Sequence, residues 1–86
     1  MLNLIYAPVF FKQANDLEVS LQEEVSEKIN LFKDKSNHKG LKVHKLHGSL
    51  KDRYSFYVNY KIRIVFRYTS KNEVVLLAVG DHDLYK

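Results

Sequence analysis

Near Leu41 the hydrophobic period of this 86-residue chain changes, and that change limits the fold more than any other feature. Upstream, Leu21, Val25, Ile29 and Phe32 recur three or four residues apart with charges between them, the pattern of an amphipathic helix. Downstream the spacing falls to two. Tyr54, Phe56 and Val58 alternate with polar residues, and Ile62, Ile64, Phe66 and Tyr68 do the same. Successive strand residues point to opposite faces, so each segment has one apolar and one polar side. Turn-forming stretches (GSLKD, Asn59-Tyr60 and TSKNE) separate strands expected at 41–47, 53–59, 62–68 and 74–79. Short turns imply an antiparallel meander. The last strand is apolar on both sides and is expected in the sheet interior.

The first forty residues supply the other layer. Leu2, Leu4 and Tyr6 alternate as a short opening strand that ends at Ala7-Pro8. Pro8 suits the first turn of a helix, where its missing N–H costs nothing. A helix over 9–17 would gather Phe10, Phe11, Ala14 and Leu17 near one side. Ser20 with Glu23 matches a capping box, so 17–20 is expected to join two antiparallel helices tightly. Lysines and Gly40 in KDKSNHKG close the second helix. The expected fold is a single α+β domain over residues 1–86: an N-terminal strand and a helical hairpin packed on one face of a four- to five-stranded, mostly antiparallel sheet.

Composition narrows the function. Hydrophobic residues are 45% and aromatics number eleven, enough for one modest core. Without cysteine there is neither a disulfide framework nor a thiolate zinc site. No secretory leader and no apolar run of about 20 residues is present, so the expectation is a cytoplasmic protein with no membrane partner. The net charge of +4 is lopsided: residues 1–40 sum to −1 and residues 41–86 to +5, and the latter hold seven aromatics. If the helices cover the apolar face, alternation places Arg53, Tyr57, Lys61, Arg63 and Arg67 on the other, with Lys42, His44, Lys45, His47 and Lys51 at its rim. Such a face fits an ordinary solvated sheet surface, and it equally fits RNA, whose phosphates need cations and whose unpaired bases need rings.

Of four histidines, His38 lies in a polar loop and is expected at the surface. His44 and His47, three apart in a strand, point to opposite faces and make no metal clamp. His82 follows the last strand in GDHDLYK. Adjacent Asp81, His82 and Asp83 diverge in extended chain, and no separated cluster completes a coordination sphere, so no metal is expected.

HKLHGSLKDRYSFYVNYKIRIVFRY followed by VLLAVGDHDLYK resembles the RelE/ParE superfamily of type II toxins, nearest the RelE-like mRNA interferases of the YafQ and HigB groups. The resemblance spans the whole chain. It rests on Leu46, Gly48, Leu50 and Lys51 at the turn, on Tyr60, Lys61, Arg63 and Phe66 in the strand, and on Gly80, His82 and Tyr85 at the end. It implies a ribosome-associated endoribonuclease that uses no metal or other cofactor, in which a 2′-hydroxyl attacks the adjacent phosphate. By position, Arg63 would steady the phosphate charge, His82 protonate the leaving 5′-oxygen, Tyr85 stack on or orient the nucleotide, and His44 serve as a second acid–base group. Lys51 and Arg53 would hold phosphates, beside Tyr57, Lys61 and Arg67 of the same face. The implied partners are a cognate antitoxin, mRNA and the ribosome. Two departures stand out: Ser55 and Tyr57 occupy places where RelE itself carries lysines, and Tyr57 replaces a second histidine of YafQ-like members. The same fold admits a ParE-like inhibitor of DNA gyrase, or a catalytically decayed toxin that only binds its antitoxin.

Overall fold

The computed structural model describes residues 1–48, 52–81 and 84. Strand β1 (Asn3–Tyr6) leads into helices α1 (Pro8–Asn15) and α2 (Val19–Phe32), a 3-10 turn (Lys35–Asn37) and strands β2 (His44–Lys45), β3 (Tyr54–Tyr57), β4 (Arg63–Ser70) and β5 (Glu73–Gly80). The five strands form one sheet in the order β1-β5-β4-β3-β2. Neighbours pair antiparallel except β1, which lies parallel to β5 with Leu4 opposite Val74 and Tyr6 opposite Leu76. The helices lie on one face, so the α+β architecture read from the sequence is the one observed.

Between those layers sits an aromatic core. Phe32, at the end of α2, is fully buried with Phe56 of β3 and Phe66 of β4. Its ring centroid lies 4.4 Å from that of Phe56 in a stacked pair and 4.7 Å from that of Phe66, edge-on. Leu2, Phe10, Val25, Ile29, Leu41, Val58, Ile62, Ile64, Val74, Leu76 and Val79 join them in the cluster. Offset and edge-on rings satisfy the aromatic quadrupole as well as burying area.

Several local expectations are corrected. The Ser20–Glu23 capping box does not form: α2 starts at Val19, with Glu18 at its N-cap and no side-chain cap bond. Leu17 packs against the core, which fixes the helical corner earlier, and Gln22 Nε2 ties that corner by donating to the carbonyls of Asn15 (3.2 Å) and Leu17 (2.9 Å). His38 is not a surface histidine. It stacks on Phe32 with centroids 4.7 Å apart, and its Nε2–H donates to the Phe32 carbonyl at 2.8 Å, while Asn37 Nδ2 donates to Leu31. His38 thereby serves a carbonyl in the last turn of α2, and Asn37 adds a second donor to the Leu31 carbonyl, which already accepts the Asp34 N–H at 3.2 Å. The strand expected over 41–47 shrinks to His44–Lys45 because N–H groups of Leu41, Lys42 and Val43 bond back to Asn37, Lys39 and His38 in successive turns. Finally, β5 has one residue more than β4 between the Val65–Ala78 and Phe66–Leu76 pairs, a bulge at Leu77.

Phe32→Ala is expected to cost about 3–5 kcal/mol, read as a lower urea midpoint with little change in slope. A second expectation concerns alkali. Burial, with a smaller effect of Tyr54, pushes the Tyr68 phenol above its ordinary 10.0. The folded chain thus favours the neutral phenol: this stabilisation is complete below the unfolded value and is lost as pH rises through the raised folded value. Thermal unfolding between about pH 9 and 11 should lose that component in Tyr68→Phe.

Candidate nucleic-acid interface

The open face is organised around the β3–β4 corner. Asn59 Oδ1 accepts the N–H groups of Lys61 and Ile62, both at 2.8 Å, and the Val58 N–H returns to the Ile62 carbonyl at 2.9 Å. The Asn59 amide also lies 3.4 Å from the Glu24 carboxylate of α2, which links the corner to the helical layer. The Asn59 carbonyl is left pointing at Arg63, whose Nη1 donates to it at 2.6 Å and to the Ile62 carbonyl at 3.3 Å.

Tyr57 lies opposite Arg63 in the β3–β4 register, so both side chains share the open face. The guanidinium carbon sits 3.5 Å from the centre of the Tyr57 ring, a cation–π stack. Arg63 is only 6% exposed, where alternation alone implied a solvated arginine. Two further groups converge on the ring: Lys42 Nζ lies 5.2 Å from its centre and the His44 ring 6.4 Å away, edge-on. His44 is exposed, and its Nδ1 lies 2.9 Å from the Lys42 carbonyl. A carbonyl only accepts, so neutral His44 carries its proton on Nδ1 and presents the lone pair of Nε2. Lys42 itself has φ 58°, a left-handed conformation that costs a non-glycine residue about 1–2 kcal/mol.

The remaining expected site residues divide. Arg53 and Arg67 are exposed, Arg67 opposite Val75 on the open face and Arg53 next to Asp52 at 3.9 Å. Lys61 is exposed in the corner and not on the strand with Arg63, because the Asn59 turn takes residues 58–61 out of the ladder. Lys51, His82 and Tyr85 lie outside the described residues. Leu84 is described: its side chain packs over Gly80, where an added Cβ would stand 3.2 Å from Leu84 Cδ2, and Gly80 is the cross-strand partner of Arg63. Among the described residues no group of three or more His, Cys, Asp and Glu side chains could hold a metal.

The open face is also not uniformly basic. Its β1–β5 side is apolar: Val9, Val65, Leu77, Ala78 and Leu84 line a cavity of about 320 Å³ with Arg53 at its border. The Leu77 bulge explains this, since it sets two consecutive aliphatic residues, Leu77 and Ala78, against the same cavity. Sequence reasoning missed Asn59 as a member of the site, and it placed Lys42 at the rim without its left-handed backbone or its position over Tyr57. An Asn at a two-strand corner was the available signal for the first; nothing in the sequence marks the second as left-handed.

The His44 geometry gives a direct expectation. Long-range proton–nitrogen correlation spectra should show neutral His44 as the Nδ1–H tautomer, and a mixture dominated by Nε2–H would contradict the bond to Lys42.

No protein-family model matches the chain, and no curated protein matches it. Solved structures do. A conserved hypothetical protein from Helicobacter pylori is 24% identical with a TM-score of 0.71, covering 96% of this chain and 97% of its own. YoeB in its complex with YefM from Staphylococcus aureus is 20% identical, TM-score 0.72, with 95% and 98% covered. YafQ from Escherichia coli is 15% identical, TM-score 0.59, with 99% and 98% covered. These likenesses span nearly the whole length of both chains, and the chain therefore has the fold that YoeB and YafQ share.

Proposed function

We propose that the protein is the toxin of a toxin–antitoxin pair and that it cleaves mRNA at the ribosome without a metal. The observation that carries this reading is the gathering of Arg63, Lys42 and His44 around Tyr57 on the open face of a toxin fold. RNA cleavage by its own 2′-hydroxyl needs three things: a group to take the hydroxyl proton, positive charge against the crowded phosphoryl oxygens, and an acid for the departing 5′-oxygen. The P–O5′ bond breaks as the 2′-oxygen bonds to phosphorus, leaving a 2′,3′-cyclic phosphate and a 5′-hydroxyl.

His44 suits the first task, because its Nε2 lone pair faces outward while Nδ1 is anchored. Arg63 suits the second. Tyr57 and Asn59 already fix its guanidinium, so no reorganisation accompanies the reaction. His82 is assigned the third, and Tyr85 the orientation of the nucleotide, on their place in the sequence after β5. Arg53, Arg67, Lys51 and Lys61 bind the backbone by charge, with Tyr57 among them as the ring. The cognate antitoxin is expected to carry an amphipathic or acidic segment that covers this face, its charges meeting the arginines and its apolar side the Val9–Leu77 surface.

Purified protein acting on ribosome-bound mRNA tests the assignment. Arg63→Ala should slow cleavage about 10²–10³-fold. His44→Ala and His82→Ala should each slow it about 10²–10⁴-fold. Antitoxin binding should persist in all three, and a chelator should leave the wild-type rate unchanged. Growth arrest with intact mRNA and lost DNA supercoiling would contradict the nuclease and favour a gyrase inhibitor.

A further inference from the structure

A second concavity, of about 410 Å³, lies beside the Tyr57 cluster between the end of α2 and the end of β3. Lys28, Leu31, Leu41, Lys42, Tyr57 and Asn59 are among its walls. Strand β2 begins at His44 and pairs with β3 at Tyr54 and Ser55, so the β3 edge at Tyr57 is met by a turn and not by a strand, the Tyr57 N–H donating to the Leu41 carbonyl at 2.9 Å. The size is in the range of small-molecule sites, about 300–1,000 Å³.

The chemistry of the walls selects the ligand. The floor is apolar, from buried Leu41 and Val58 and from Leu31 of α2, which is 41% exposed. Among the described residues, the charged side chains of the lining are the two lysines, Lys28 and Lys42. A flat apolar body carrying negative charge meets those demands, and a nucleotide is such a body. Tyr57 and Lys42 belong both to this cleft and to the cluster around Arg63, so the two sites are continuous. Lys42 adds an independent sign. It holds a left-handed backbone conformation, for which glycine is the natural residue, yet a lysine occupies the position and places its ammonium over Tyr57.

We propose that this cleft is a nucleotide subsite, taking the unpaired base and phosphate of the nucleotide next to the one attacked, and that Lys42 and Leu31 set its affinity. The inference rests on the RNA-cleaving reading above.

The test is a titration of isotope-labelled protein, following backbone amides, with the four nucleoside 5′-monophosphates, ribose 5-phosphate, inorganic phosphate and a 2′-deoxy trinucleotide that lacks the attacking hydroxyl. Saturable shifts at Leu31, Gly40, Leu41 and Lys42 with at least one nucleoside monophosphate, and not with ribose 5-phosphate or phosphate at equal concentration, support the subsite. Lys42→Gly should weaken that binding tenfold or more without lowering the melting temperature, since glycine accepts the backbone better; Leu31→Glu should weaken it similarly by placing a carboxylate at the mouth. Equal shifts with inorganic phosphate would reduce the cleft to an anion contact and overturn the proposal. Trinucleotide shifts confined to the strands around Arg53 and Arg67, with the cleft silent, would overturn the subsite and leave the RNA reading standing. Trinucleotide binding nowhere on the protein would overturn both.

Discussion

A guanidinium laid flat on a phenol ring holds the open face of this protein together. Arg63 is almost wholly buried, and a buried cation is tolerated only where something replaces its water. Here the replacement is the Tyr57 ring at 3.5 Å together with the carbonyls of Asn59 and Ile62. A desolvated cation–π contact stabilises by up to about 2 kcal/mol, and bonds from a charged donor add to it. The arginine is thereby fixed in place at the middle strand of the sheet, its charge held beside the Tyr57 ring and not carried out on a flexible side chain.

That arrangement depends on the layer behind it. β4 sends Ile64 and Phe66 into the core, against Phe32 and Phe56, and Arg63 and Val65 to the other side. The aromatic packing sets the height and tilt of β4, and Asn59, within reach of Glu24 on α2, sets the corner from which Tyr57 and Arg63 face each other. Substitutions in the core and in the site are therefore expected to couple through this corner. The bulge at Leu77 divides the open face into a basic half near β3 and an apolar half near β1, two chemistries on one surface.

Much of this was legible in the sequence, and the reasons are local. The change of period near Leu41 marks the strands because alternation is a property of each strand alone. The helical spacing of Leu21, Val25, Ile29 and Phe32 marks α2 in the same way. What escaped depends on distant chain segments. Alternation assigns Arg63 to the open face, but only the pairing of β3 with β4 puts Tyr57 on top of it. His38 reads as a loop residue until Phe32 offers it a ring and a carbonyl. Ser20 and Glu23 have the right spacing for a cap, yet the burial of Leu17 moves the helix start to Val19. The left-handed Lys42 leaves no mark in composition or periodicity.

If Arg63 and the groups around Tyr57 act on RNA through the 2′-hydroxyl, the chemistry is written in the ends of the products. The most direct measurement is the identity of those ends on mRNA recovered after the protein is induced in cells. A 2′,3′-cyclic phosphate or 3′-phosphate is expected on one fragment and a 5′-hydroxyl on the other. Fragments bearing 5′-phosphates, or mRNA left whole while growth stops, would contradict that chemistry.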